Sequence, residues 1–313
     1  MVSPDRQLTE HAPARVLLDG AIDYAGLFPP AQLDMAGAVV EYGSYLCSED
    51  VWALGAFVVP AARLEELAAV AGGLHAPNGK SLGAPAPWRV SAVVAADVRS
   101  EMGLVRAFNV AHAAASAWPA AVRSVELRAS TAEAIAEAAL AVGDGVDLFI
   151  EIPIADDIEP LVRAIGAANA CAKVRTGGTT ADMFPSSDDL ARFLAACVRE
   201  NVAFKATAGL HHALRGAYPL TYAPDSARGT MYGFLNVFLA AAFLRAGESE
   251  AMARALLEER EAAALQFDQS GVTWRGHRLS TEQLERSRDG AIRSFGSCSF
   301  REPLDDLESL GLL

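Results

Sequence analysis

Strand-like and helix-like segments alternate at least six times in this chain. The predicted strands are residues 16–18, 52–60, 90–96, 123–128, 147–154, 172–175 and 204–207. Predicted helices separate them, at residues 31–47, 61–71, 102–115, 131–141, 158–168 and 186–201. This alternation is typical of parallel strands joined by helical crossovers. Because no linker divides the series, we predict an α/β fold, a single (β/α)8 barrel of the TIM type over residues 1–313.

The alternation loosens after His212. Residues 231–245 and 249–265 are predicted helices, and the turn Asp268-Gln269-Ser270-Gly271 predicts a hairpin over residues 267–278. Ser280 or Thr281 caps a further helix. Residues 294–300 form a last short strand or turn, and residues 303–310 a terminal helix. We therefore expect a helical and hairpin insertion, at about residues 213–290, before the last strand of the barrel.

The composition argues against several classes of function. The formal net charge of −13 disfavours nucleic acid or an anionic membrane as a partner, although a local basic cluster can still bind an anionic small molecule. The four cysteines lack C-x-x-C or Cys/His metal spacing, so we expect no metal and no cofactor. Residues 1–15 lack the apolar core of a signal peptide, and the longest apolar run, residues 233–244, is too short to span a bilayer. We expect a soluble cytoplasmic protein, and the sequence leaves a homo-oligomer open.

Four successive strands carry charged residues at equivalent positions: Glu126, Glu151, Lys173 and Lys205. Side chains on a strand alternate between its two faces, so we expect all four to point into the barrel, with Arg175 on the same face as Lys173. Four buried charges are costly unless they pair or take part in chemistry. The pattern therefore indicates either an active site or an internal salt-bridge network that only closes the barrel.

Glycine-containing turns follow both lysine strands. Thr176, Gly177 and Gly178 end the first strand, and Gly209 ends the second. Glycine leaves backbone N–H groups open, so these turns are candidate anion-binding sites. His211, two residues after Gly209, is a candidate phosphate contact or acid; the alternative is a loop histidine that bonds to backbone.

The loop at residues 19–30 contains two acids and a tyrosine and closes with a double proline. Because residues 16–18 are predicted to form the first strand, this loop is expected at the carboxyl end of the barrel, where active sites form. Asp19, Asp23 or Tyr24 is therefore expected to contribute to the pocket.

Lys173 and Lys205 are predicted on adjacent strands, where their ammonium groups repel each other. Repulsion and burial both lower the pKa of a lysine. A lysine that is neutral near pH 7 attacks carbonyl carbon and forms a Schiff base, and Glu126 or Glu151 would then move protons. From this charge balance we expect the fold to tolerate alanine at either lysine, whereas loss of a buried Glu126 or Glu151 costs about 3–5 kcal/mol.

Three strand ends carry short motifs: Lys173-Val174-Arg175-Thr176-Gly177, Phe204-Lys205-Ala206-Thr207-Ala208-Gly209 and Phe295-Gly296-Ser297-Cys298-Ser299. They resemble, in this order, the K-T-S-T-G strand, the K-A-S-G-G strand and the F-G-x-S-S phosphate-binding end of class I (Schiff-base) aldolases of the deoxyribose-phosphate aldolase type. The resemblance implies a TIM barrel that needs no metal.

The same resemblance implies roles for individual residues. Lys173 would be the Schiff-base nucleophile and Lys205 the residue that tunes it. Gly209, Ser297 and Ser299 would contact a phosphate. The chain departs from the family pattern at Asp147, where the family has a lysine, and in a longer gap between the second and third motifs.

The favoured function is therefore a Schiff-base lyase or aldolase that acts on a small anionic or phosphorylated carbonyl compound. A phosphosugar isomerase or epimerase with Glu151 and His211 as acid and base is a second hypothesis. A metal-dependent hydrolase or lyase would use Asp19, Asp23, Glu151 and a histidine. The last alternative is a barrel that binds an anion without turnover.

Overall fold

Eight parallel strands close into a barrel. The fold is seen in a computed structural model, which describes residues 12–75, 87–95, 97–115, 118–154 and 157–313. The strands are β1 (Ile22–Tyr24), β2 (Leu54–Pro60), β3 (Trp88–Val93), β4 (Ala120–Arg128), β5 (Asp147–Glu151), β6 (Cys171–Arg175), β7 (Phe204–Thr207), β8 (Gly216–Pro219), β9 (Arg228–Met231), β10 (Leu265–Asp268), β11 (Gly271–Trp274), β12 (His277–Ser280) and β13 (Ile292–Ser297). The barrel consists of β1 to β7, paired in chain order, with β13 between β7 and β1. The predicted TIM-type barrel is confirmed.

Helices alternate with the barrel strands. They are α1 (Pro13–Leu18), α2 (Met35–Tyr45), α3 (Leu64–His75), α4 (Val98–His112), α5 (Ala132–Val142), α6 (Glu159–Ala167), α7 (Ser187–Arg199), α8 (Phe234–Arg245), α9 (Glu250–Leu257), α10 (Thr281–Gly290) and α11 (Arg301–Ser309). Side-chain caps mark where several begin, because an oxygen at the N-cap accepts a hydrogen bond from a free N–H of the first turn. Thr131 caps α5, and Ser280 caps α10 in a capping box with Gln283.

The amino-terminal apolar run is a helix, not the predicted first strand. Residues 16–18 belong to α1, which Pro13 opens and whose Leu17 and Leu18 are fully buried. The first strand is instead Ile22–Tyr24, with all three residues buried. Asp19 therefore precedes β1 and lies at its amino end, whereas residues 25–30 leave its carboxyl end.

The insertion before the last barrel strand contains helices and hairpins, as predicted. The predicted turn at residues 268–271 joins β10 to β11, and β12 adds a third antiparallel strand. The helix predicted for residues 249–265 is shorter, because α9 ends at Leu257. A second hairpin, β8 with β9, was not predicted.

Helix α8 is apolar on all sides and lies in the core. It packs against α7, α9 and β13, and the rings of Phe234 and Phe238 lie 4.9 and 5.6 Å from that of Phe295. A helix without a polar face must be covered all round; α7 and β13 of the barrel and α9 and α10 of the insertion cover α8. In the described ranges, none of the helices is both long enough and apolar enough to cross a membrane.

Candidate active site

A cavity of about 660 Å³ opens at the carboxyl ends of the barrel strands. One wall, from the β1, β2 and β3 side, is apolar and consists of Ala25, Phe28, Pro29, Val58, Val93 and Val94. The opposite wall, from β4 to β7, is charged and consists of Glu126, Arg128, Glu151, Lys173, Arg175 and Lys205. This is the end of a TIM barrel at which active sites form. The predicted lumen-facing charges therefore converge on one cavity.

Lys205 lies deepest in the charged wall, with 1% of its surface exposed. Its Nζ atom is 2.7 Å from Asp23 Oδ2 and 2.7 Å from Glu126 Oε1. The ring of Phe149 lies 5.2 Å from the same nitrogen. Lys205 is therefore an ammonium held between two carboxylates.

Lys173 lies beside Lys205 and nearer the cavity mouth. The two lysines are register partners on β6 and β7. Lys173 Nζ lies 2.9 Å from Glu126 Oε2 and 2.9 Å from Glu151 Oε2. The other oxygen of Glu151 is 2.8 Å from Arg128 Nε and 3.5 Å from Arg175 Nε. Acids and bases thus alternate from the floor of the barrel to its rim.

Neighbouring strands fix the two innermost carboxylates. Asp23 accepts hydrogen bonds from the Ala56 N–H (2.7 Å) and from Ser294 Oγ (2.6 Å). Glu126 accepts one from Ser91 Oγ (2.7 Å). Gly55 leaves the space that Asp23 occupies, since a Cβ there would collide with Oδ1. Sequence reasoning missed both serines, because each lies on a different strand from the carboxylate that it binds.

The expected lowering of the lysine pKa is wrong for Lys205. Burial lowers the pKa of Lys205, but the charges of Asp23 and Glu126 outweigh burial and raise it above its ordinary value. Burial likewise raises the pKa of Glu126, yet Lys205 and Lys173 hold it well below its usual range. The prediction failed because a carboxylate lies between the two ammonium groups and cancels their repulsion.

The expectation that the fold tolerates loss of either lysine rested on that repulsion. With the actual pairing, removing Lys205 leaves Asp23 and Glu126 without their shared cation. An uncompensated buried charge is strongly destabilising. We therefore expect removal of Lys205 to destabilise the fold.

The glycine turns pack closely instead of lying open. A Cβ at Gly177 would collide with the ring of Phe184, and one at Gly178 with Met183. Gly209 adopts φ +75°, a conformation that favours glycine, and also lies against Phe184. Of these three glycines, Gly178 lines the large cavity. Close packing accounts for the glycines, and anion binding there stays a prediction.

Thr176 joins the two lysine strands. It is fully buried, and its Oγ1 donates a hydrogen bond of 2.6 Å to the Ala208 carbonyl. Its hydroxyl is therefore engaged with the backbone of the next turn, so it fixes the spacing of the two turns.

Besides Asp23, Thr176, Gly177 and Gly209, four further predicted site residues do not line the cavity: Asp19, Tyr24, Ser297 and Ser299. Asp19 is exposed at the amino end of β1, so the proposal that places it at the rim is wrong. Tyr24 alternates with Asp23, points toward α2 and donates a 2.5 Å hydrogen bond to Glu41. Ser297 alternates with Gly296 and is buried, and its Oγ accepts a bond from the Ser299 N–H. Ser299 in turn accepts a bond from a backbone N–H in the first turn of α11.

The side chains of the adjacent His211 and His212 diverge. His211 lines the cavity and its Nδ1 lies 2.8 Å from Glu302 Oε2. His212 stacks on Tyr218 and its Nδ1 lies 3.2 Å from Asp306 Oδ2. Burial lowers the pKa of His211, but its contacts with Cys298 and Glu302 prevail and raise it to about 9. His211 is therefore a protonated group at the cavity wall near pH 7.

The residues of the metal-dependent hypothesis are not brought together. Asp19 lies at the other end of β1 from the cavity, and Asp23 is bound to Lys205. Within the part of the chain that the structure describes, no group of three or more His, Cys, Asp or Glu side chains is arranged to hold a metal ion.

Comparison of the chain with protein-family models, with curated proteins and with solved structures gave no match.

Proposed function

We propose that this protein is a lyase of the class I aldolase type, in which Lys173 forms a Schiff base with a small anionic carbonyl compound. One observation carries the proposal. The Lys173 amine lies at the wall of the cavity, 2.9 Å from each of two carboxylates, and one of them, Glu151, can exchange a proton with it. Amine, proton acceptor and space for a substrate thus meet at one point.

The presence of lysine instead of arginine at positions 173 and 205 supports a chemical role for these residues. Of the 26 basic Lys and Arg residues, three are lysines (Lys80, Lys173 and Lys205), and two of these three face each other in the barrel. A guanidinium is never deprotonated in proteins and cannot become a nucleophile, whereas a lysine amine can. A chain that uses arginine nearly everywhere keeps lysine where amine chemistry would occur.

The two glutamates are suited to different tasks. Glu126 binds both lysines and is only 2% exposed, so it anchors the site. Glu151 contacts Lys173 alone among the lysines and faces the cavity. We therefore assign Glu151 as the proton carrier.

The proposed reaction follows from these positions. Lys173 gives a proton to Glu151 and attacks the carbonyl carbon, so that a C–N bond forms as the C=O π bond breaks. A proton then passes from the new ammonium to the former carbonyl oxygen, which becomes a hydroxyl. Glu151 returns its own proton to this hydroxyl, and loss of water gives an iminium. Glu151 then takes the proton of the β-hydroxyl, the adjacent C–C bond breaks, and its electrons move into the iminium as an enamine. An aldehyde is released, and Glu151 gives its proton to the enamine carbon, which restores an iminium. Water hydrolyses this iminium to the second carbonyl product and frees Lys173.

The rim of the cavity offers guanidinium groups for the anionic end of the substrate. Arg175 and Arg128 line the cavity, and both flank Glu151. Guanidinium groups bind carboxylate and phosphate through paired hydrogen bonds. We propose that these arginines take the anion-binding role that the resemblance assigned to Ser297 and Ser299.

Borohydride trapping tests the proposal. The full chain is incubated with small aldehydes and 2-oxo acids, reduced, and digested for mass spectrometry. We expect an adduct on Lys173, and Lys173→Met should abolish it. Lys80, which lies outside the described residues, is the internal control for nonspecific labelling. An adduct confined to Lys205 or Lys80, or no adduct with any compound, would overturn the proposal.

One observation favours an isomerase or epimerase as a second candidate. His211 and Glu151 both line the cavity, and the raised pKa of His211, about 9, makes it a proton donor near pH 7 opposite a carboxylate base. Deuterium exchange at the carbon next to a sugar-phosphate carbonyl would detect this activity. Exchange that survives in Lys173→Met and disappears in Glu151→Gln would favour the isomerase.

A further inference from the structure

A second nucleophilic side chain lines the same cavity. Cys298 follows β13 directly and is 5% exposed, with its side chain on the cavity wall. Its sulfur lies 3.9 Å from both Nδ1 and Nε2 of His211. The proposed aldolase chemistry uses neither residue. Their proximity within the cavity therefore calls for a separate explanation.

The imidazole next to Cys298 is held in place by a carboxylate. Glu302, in the first turn of α11, binds His211 Nδ1 at 2.8 Å. Tyr222, from the turn between β8 and β9, donates a 3.0 Å hydrogen bond to the same Glu302 oxygen. Its hydroxyl also lies 3.3 Å from the Cys298 sulfur. Thiol, imidazole and carboxylate thus follow one another in the order found in cysteine nucleophile sites.

The electrostatics agree with this geometry. Burial raises the pKa of Glu302, but His211 and Tyr222 outweigh burial and lower it, so the carboxylate stays ionised. An ionised Glu302 stabilises the imidazolium form of His211. A cationic imidazolium beside a sulfur is the environment in which cysteines become nucleophilic.

We propose that Cys298 is a second covalent site of the cavity, which adds reversibly to aldehydes with His211 as the proton carrier. The sulfur attacks the carbonyl carbon and a C–S bond forms as the C=O π bond breaks. The thiol proton passes through His211 to the carbonyl oxygen, so that the product is a hemithioacetal. The step needs no oxidant, reductant or further reactant. It stands independently of Schiff-base formation at Lys173.

The other cysteines provide matched controls. Cys47 is exposed, Cys171 is partly buried and Cys197 is fully buried. Burial raises the pKa of Cys171 and Cys197. An ordinary exposed thiol reacts according to its thiolate fraction, so Cys47 sets the reference rate for a thiol without an activating neighbour.

Alkylation of the full-length chain measures the reactivity of Cys298. The folded protein is treated with iodoacetamide at pH 6.5 and each cysteine is followed by peptide mass spectrometry. We expect Cys298 to react about tenfold faster than Cys47 in spite of its burial, because the His211 imidazole lies 3.9 Å from its sulfur. Glu302→Gln, which keeps the shape of the side chain, should remove most of this advantage.

Protection by an aldehyde tests the adduct itself. Glycolaldehyde should slow alkylation of Cys298 and leave that of Cys47 unchanged. The same protection in Lys173→Met would separate the thiol site from the Schiff base, so the two proposals can fail separately. Cys298 that reacts no faster than Cys47, a rate that is unchanged in Glu302→Gln, or protection that disappears in Lys173→Met would each overturn the proposal.

Discussion

Two of the glutamates buried in the described part of the chain, Glu259 and Glu126, have opposite surroundings. Glu259, in the insertion, accepts hydrogen bonds from Trp274 Nε1 (3.0 Å), Arg275 Nε (2.6 Å) and two backbone N–H groups that follow it in the chain. Glu126, in the barrel, binds two lysines and a serine from three other strands and faces the cavity.

The comparison separates structural from functional burial of charge. The donors of Glu259 lie within 16 residues along the chain and satisfy it away from the large cavity, which is typical of a carboxylate that fixes a loop. Glu126 binds two lysines that are distant in the chain, and a substrate in the cavity could reach one of them. Burial alone therefore does not indicate function; burial with reactive partners beside a cavity does.

Removal of Lys205 should have the largest effect on stability. Lys205→Met leaves Asp23 and Glu126 buried without their shared cation, and we expect unfolding free energy to fall by about 3–5 kcal/mol. Urea unfolding measures the loss. Lys173→Met is the matched control, because water in the cavity can reach the groups it leaves behind, and its loss should be smaller. Equal losses would place both lysines in one structural network.

Replacement of Glu259 should damage the fold without damaging the chemistry. Glu259→Gln keeps the shape but loses a charged acceptor, and the cost should be about 1–3 kcal/mol. Borohydride trapping at Lys173, measured well below the melting temperature, should be unchanged, whereas Glu126→Gln should lose it. Loss of trapping in folded Glu259→Gln would remove the distinction between the two glutamates.

Lowering the pH should destabilise the surroundings of both Glu126 and Glu259, because folding lowers the pKa of each carboxylate. Burial raises the pKa of Glu259, but its hydrogen bonds with Arg275 and backbone N–H groups prevail and lower it from 4.5 to about 2. Its stabilising contribution is therefore complete above pH 4.5 and is lost as pH falls toward about 2. Within this window the stability of Glu259→Gln should fall less steeply than that of the original chain, by up to about 1.4 kcal/mol per pH unit. Urea unfolding at several pH values between these limits measures the slopes, and identical slopes would contradict the assignment.

The features that could be predicted from the sequence are those that recur along the chain. Alternation of strands and helices gave the barrel, and matching positions on four strands placed Glu126, Glu151, Lys173 and Lys205 on one wall. The sequence did not reveal that Lys205 stays protonated, because its partner Asp23 is 182 residues away. β1 has three residues, too few for a periodic pattern, so the strand was placed at residues 16–18 and Asp19 was assigned to the wrong end of the barrel.

Replacement of one exposed arginine by glutamine in each region should have the smallest effect on stability. This pair of variants compares the cavity with the insertion most directly. Arg128 pairs with Glu151 on the charged wall and Arg275 pairs with Glu259, and their side chains are 70% and 58% exposed. Exposed ion pairs typically contribute about 0–1 kcal/mol, so the unfolding free energies of Arg128→Gln and Arg275→Gln should lie within about 1 kcal/mol of that of the original chain.

Of these two arginines, Arg128 lines the cavity and can bind the anionic end of a substrate. Arg128→Gln should therefore need a higher concentration of a 2-oxo acid for half-maximal trapping at Lys173, with little change for a neutral aldehyde, and Arg275→Gln should match the original chain with both. A loss of trapping that is equal for the charged and the neutral compound would assign Arg128 to the positioning of Glu151 instead of to recognition of the anion.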